Sequence, residues 1–134
     1  MAEQRNPYKG QSSRAFLRLD FRAPDASRRT LELLVDTGSA EGVMVSRDVY
    51  HQLVFAPLRP VVFPSWGFTF RGWFRLAMPS LGLTEWVEGY GNDLIATAAA
   101  DEHPDFQGLV GLPILRLGEY GGNAADFWFR YPPS

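Results

Sequence analysis

Leu31-Glu32-Leu33-Leu34-Val35 runs straight into Asp36-Thr37-Gly38-Ser39-Ala40. A short run this apolar predicts a strand buried on both faces, inside a sheet. The residue it delivers at its far end is ionisable. A carboxylate at the mouth of a buried strand costs free energy unless it is hydrogen-bonded or shares a proton. Gly38 permits a tight loop and a close backbone approach, and Thr37 and Ser39 put hydroxyls within local reach of the carboxylate. Taken alone, the stretch reads equally well as a strand ending in an ordinary Asp-Thr-Gly turn, with Asp36 capping its own loop.

The rest of the chain is punctuated as short strands and turns. Leu17, Leu19 and Phe21 alternate with Arg18, Asp20 and Arg22, a strand with one wet face. Pro24-Asp25-Ala26-Ser27 is a turn that joins it to Leu31–Val35 as a hairpin. Val43-Met44-Val45 predicts a short strand, and Ser46 a cap for a helix reaching Phe55 with Val49, Leu53 and Val54 facing inward. Pro57 and Pro60 end it. Val61–Phe63 and Phe68–Phe70 flank Pro64-Ser65-Trp66-Gly67, and Trp73–Met78 and Thr84–Tyr90 flank Pro79-Ser80-Leu81-Gly82, two hairpin turns. Further on come a strand at Leu94–Ala100, an exposed loop at Asp101–Gln107 and a short buried strand at Leu109-Val110. Pro113 opens a short helix through Leu117 that Gly118, Gly121 and Gly122 end, and Asp126–Tyr131 is a last strand. Residues 1–14 are polar and read as a flexible lead-in. That leaves residues 15–134 as one mostly-β domain with one or two short helices.

Several function classes drop out on composition. The chain has no cysteine, which excludes disulfides, thiolate catalysis and Cys-zinc sites. His51 and His103 are the only histidines, and no metal-ligand spacing joins them to carboxylates, so neither a metal nor a cofactor is expected. His51 reads as a helix-surface residue, and Asp101, Glu102 and Asp105 around His103 as a solvated loop. The net charge is −2 and the arginines are scattered, with only Arg28-Arg29 adjacent, so no nucleic-acid partner is expected. No apolar run approaches the roughly 20 residues of a membrane span. The polar opening lacks an apolar leader core, and the expected location is cytoplasmic.

A second segment changes the weight given to Asp36. Leu109-Val110-Gly111-Leu112-Pro113-Ile114-Leu115 places two apolar residues and a glycine before a short helix. With Asp36-Thr37-Gly38, Val43–Val45 and the hairpin near Trp66 preceding it in that order, the chain resembles the retropepsin-like aspartic proteases over roughly residues 15–131. The resemblance implies a closed β-barrel-like acid-protease half-fold, a flap hairpin over a peptide groove, and an apolar-apolar-Gly segment crossing beside the catalytic loop. It implies catalysis by Asp36 with Thr37 and Gly38, substrate contacts from Ser39, Ala40, Trp66 and Gly67, and a polypeptide substrate. Such chemistry needs two carboxylates sharing one proton, because like charges about 3 Å apart cannot both ionise. The chain has one Asp-Thr-Gly, and neither Asp93 nor Asp126 is followed by Thr-Gly or Ser-Gly. The second carboxylate is therefore expected from another copy across a two-fold axis. The resemblance further implies that Thr37 bonds across that axis and that the chain ends interleave at the interface.

Two residue patterns depart from the retroviral one. Ser39 stands where alanine is usual; a hydroxyl bonded to ionised Asp36 would favour the charged form and draw the working pH downward. The flap carries Pro64, Trp66 and Gly67 in place of several glycines. Trp66, at a turn tip, is the tryptophan expected to touch substrate, while Trp73, Trp86 and Trp128 are expected in the core or packed on sheets. The competing function is a catalytically inactive dimeric peptide-binding module on the same fold.

Overall fold

The computed structural model describes residues 2–10, 12–94 and 106–133. It is mostly β, with a closed six-stranded barrel and two short α-helices. The strands are β1 (Ala2–Pro7), β2 (Phe16–Arg22), β3 (Arg28–Val35), β4 (Val43–Val45), β5 (Ala56–Phe63), β6 (Gly67–Met78), β7 (Leu83–Gly91), β8 (Gly108–Val110), β9 (Glu119–Gly122) and β10 (Asp126–Tyr131). Two α-helices are labelled α1 (Arg47–Leu53) and α2 (Leu112–Leu115). Among the described residues no helix is long and apolar enough to cross a membrane.

The barrel runs β2-β3-β8-β4-β7-β6 and closes where Phe21 and Arg22 of β2 pair with Leu76 and Arg75 of β6. Alternation along β2 does what its sequence predicts: Leu17, Leu19 and Phe21 enter the core, while Arg18 and Arg22 are exposed. The β2–β3 turn follows Pro24, with Asp25 Oδ1 accepting from Ser27 N at 2.9 Å. β3 is buried on both faces at its end. Leu33 joins the barrel core, while Leu34, on the other side, packs with Phe16 and Phe106. Closure matters for the site because β8, only three residues long, is inserted between β3 and β4. It runs parallel to β3 (Val35↔Val110) and antiparallel to β4 (Val43↔Val110).

Four local expectations need correction. Residues 2–7 are not a flexible lead-in: they form β1, paired antiparallel with β10 from Ala2↔Tyr131 to Pro7↔Asp126. With β9 this makes a second sheet, ordered β1-β10-β9. β10 is therefore flanked on both sides by strands of the same chain. The expected pieces Phe68–Phe70 and Trp73–Met78 are one strand, β6, with Gly72 lying against Tyr50 and Val54 rather than turning the chain. In α1, capped by Ser46 Oγ accepting from Val49 N at 3.3 Å, the fully inward residues are Tyr50 and Leu53. Leu53 is inward and Val49 and Val54 pack half-buried against the core, as read; the residue the reading left out is Tyr50, which fills the core and whose hydroxyl donates to Arg71 O at 2.8 Å. Phe106 and Gln107 do not belong to an exposed loop. Phe106 is buried, and Gln107 exchanges bonds with the Glu32 backbone, its N donating to Glu32 O (2.9 Å) and its Oε1 accepting from Glu32 N (3.0 Å). The remainder of the expected Leu94–Ala100 strand and Asp101–Gln107 loop, His103 included, lies outside the described residues except for Leu94. His51 is exposed on α1, as read.

Candidate active site

Asp36 leaves the end of β3 half-buried, and its backbone is fixed from below by β8, with Asp36 N donating to Val110 O at 2.9 Å. The loop after it closes on itself, Ser39 N donating to Asp36 O at 3.1 Å. The segment after β8 then straps the loop down: Gly111 N donates to Gly42 O (2.9 Å) and Leu112 N to Ser39 O (3.0 Å). This approach has no room for a side chain at position 111. A Cβ there would stand 2.0 Å from Glu41 O and 2.9 Å from both Ser39 Cβ and Ser39 O. Both sequence motifs are thus parts of one local structure, the loop and its strap.

The Asp36 carboxylate accepts from Gly38 N at 3.0 Å through Oδ1. The expected bond from Ser39 is not formed. The Ser39 hydroxyl turns to Glu41, donating to Oε2 at 3.0 Å and accepting from Glu41 N at 3.2 Å. Thr37, Gly38 and Ala40 are exposed.

A cavity of about 290 Å³ opens beside the carboxylate, walled by Asp36, Gly38, Ser39, Glu41, Met44 and Leu109 below and by Phe63, Pro64, Ser65 and Trp66 above. Its roof is the β5–β6 turn, closed by Gly67 at φ 72°. Trp66 and Ser39 both line this cavity. Gly67 shapes the turn without lining the cavity, and Ala40 faces a different cavity, shared with Trp73, Trp86, Pro113 and Leu117. Trp73 and Trp86 are outer-sheet residues, not core; Trp86 is 49% exposed and stacks under the Arg75 guanidinium.

Comparison with protein-family models, with curated proteins and with solved structures returned no match.

Sequence reasoning missed Glu41, Met44, Phe63 and Leu109 as cavity walls. Three of them were within reach of the two-residue strand period: Val43 and Val45 point into the barrel, so Met44 points out of it, and Leu109 does the same between Gly108 and Val110. Phe63 faces the cavity while Val62, beside it, is 75% exposed. Behind the roof, Tyr90 is buried and donates to Glu88 Oε2 at 2.7 Å; burial first, and then that bond, push its phenol well above the usual range. Among the described residues, no three His, Cys, Asp or Glu side chains converge as a metal site.

Proposed function

We propose that the chain is an aspartic endopeptidase that acts as a homodimer, with Asp36 and its symmetry mate as the catalytic dyad. The observation that carries this reading is the setting of Asp36. It is delivered by an interior strand, held by a strapped loop, and faces a roofed cavity with apolar walls. One carboxylate of the dyad would be ionised and act as general base on a water. The other, protonated, would donate to the scissile carbonyl. The other carboxylate in the cavity, Glu41, is engaged by Ser39, and no hydrogen bond joins it to Asp36 among the described residues. That supports a partner from a second copy. The exposed Thr37, Gly38 and Ala40 give such a copy a surface to cover. Met44, Phe63, Trp66 and Leu109 suit apolar side chains of an extended peptide.

The test is hydrolysis of unfolded casein at acidic and neutral pH by the wild type and by Asp36→Asn, with sedimentation of both. The amide keeps the volume but neither shares nor releases the proton. The variant should sediment as a dimer and lose turnover, by about a thousandfold or more on the scale of removing an essential acid–base group. Hydrolysis at the wild-type rate by Asp36→Asn, or full activity from a monomer, would sink the reading. The peptide-binding module remains the second reading because the roof over the cavity is tied to the barrel by a buried side chain. Under it, the wild type binds extended peptides and cleaves none.

A further inference from the structure

Beyond Phe70, whose partner Gly91 ends β7, β6 has only β5 beside it. Residues 61–69 are thus a two-stranded ribbon overhanging the Asp36 cavity, offset from the barrel by a register break between Leu58 and Val61. A two-stranded ribbon is marginally stable alone in water. Part of what holds this one is apolar: Val61, Phe63 and Trp66 pack on Met44 and Tyr90. The polar part is Asn92. It follows β7, is 5% exposed, and its own N–H is fixed on Val45 O at 2.8 Å. Its Nδ2 donates to Trp66 O (2.7 Å), to Phe68 O (3.1 Å) and to Thr69 Oγ1 (2.9 Å). Its Oδ1 accepts from Leu94 N at 2.9 Å. Thr69, fully buried, passes a bond on to Gly67 O at 3.2 Å. One carboxamide, with two hydrogens shared among three acceptors, therefore grips the turn and the start of β6.

We propose that Asn92 is a positioning residue: it latches the ribbon tip over the Asp36 cavity and so sets how tightly an extended peptide is held between tip and loop. The turnover part of this rests on the proteolytic reading; the latch and the peptide binding do not. No other type of side chain fits this role well. An apolar residue would leave the partly buried bonds to the carbonyls of Trp66 and Phe68, and the buried Thr69 hydroxyl, without their donor. An ionised aspartate would set a carboxylate against both oxygens.

Three measurements on wild type, Asn92→Ala and Asn92→Asp test it. They are amide exchange of residues 61–69, KM and kcat on an apolar hexapeptide, and Kd for the same peptide with its central amide reduced to an uncleavable bond. For Asn92→Ala, ribbon exchange, KM and Kd should each rise about tenfold, with kcat changed less than about threefold. Asn92→Asp should keep the ribbon protected near pH 4, where the carboxyl still has a proton to donate, and lose that protection at neutral pH. The nearby charges are Asp93 with Arg47, and Arg71 and Glu88 beside Tyr90. All are present in both proteins, so the difference reports position 92. Ribbon exchange unchanged in both variants overturns the latch, and raised exchange with unchanged Kd overturns the positioning role. If Asn92→Ala does not fold, the pH dependence of Asn92→Asp carries the same decision. A wild type that binds the reduced peptide but hydrolyses nothing removes the protease reading and leaves the exchange and Kd results to judge Asn92.

Discussion

Gly111→Ala puts the strap over the Asp36 loop to a quantitative test. The added methyl would sit 2.0 Å from Glu41 O, and all three contacts within 3 Å belong to residues 39 and 41. An ordinary carbon–oxygen contact is more than 1 Å longer, so the loop and the strap must separate by about that much. Nothing nearby can absorb the shift cheaply, because the clashing atoms are mainly backbone. Separation stretches the bonds Gly111 N to Gly42 O and Leu112 N to Ser39 O. Overpacking costs about 1–3 kcal/mol, and losing one strap bond adds roughly 1 kcal/mol. At about 4 °C per kcal/mol for a domain of this size, the melting temperature should fall by roughly 8–16 °C. Activity should fall further than stability explains, by about a hundredfold, since a 1 Å displacement at a reacting group has that scale of effect. Thermal unfolding by circular dichroism and casein hydrolysis well below the melting point give the two numbers. A variant that melts and cleaves like the wild type would refute the close approach of strap and loop.

Two further predictions address the surroundings of that loop. Because the Ser39 hydroxyl serves Glu41 and not Asp36, Ser39→Ala should leave the upper limb of the kcat/KM–pH profile in place; a limb displaced to higher pH would restore the direct bond to Asp36. The terminal sheet should loosen in acid. Hydrogen bonds from Arg5 and then Arg130 hold Glu3 below its ordinary carboxyl value. Its stabilising effect is therefore present above that ordinary value and is lost as pH falls through the depressed one. Amide exchange in β1 should rise, relative to the barrel, below about pH 4 in the wild type. In Glu3→Gln it should show no such pH step.

The sequence made the barrel legible where alternation of apolar and polar residues, or a short run of apolar ones, was the signal. β2, the end of β3, β4 and β8 fall where the pattern puts them, and Asp36 sits on the strand that the pattern buries. β1 was missed because its inward face is polar. Asn6, 7% exposed, donates to Phe16 O and Gln4 Oε1, a face that apolar periodicity does not register. The continuity of β6 was missed because Gly72 looks like punctuation from sequence, whereas it marks a close approach to α1. The orientation of Ser39 was unreadable for a different reason. Two acceptors, Asp36 and Glu41, lie within local reach of its hydroxyl, and local sequence does not choose between them. Asn92 carries no sequence signal at all, since its partners belong to a turn more than twenty residues earlier.

The insertion of β8 between β3 and β4 also fixes the order in which the molecule can be made. During synthesis, β2, β3 and the Asp36 loop emerge early, but the strand that supports Asp36 N and the glycine that caps the loop come near residue 110. Until then β3 and β4 have a vacant ladder between them, with unpaired N–H and C=O groups and an apolar edge. Non-local closure of this kind is slow and leaves a sticky intermediate. A chain halted before Gly108 would therefore be aggregation-prone and inert together, and the Asp36 loop would take its working shape only late in synthesis.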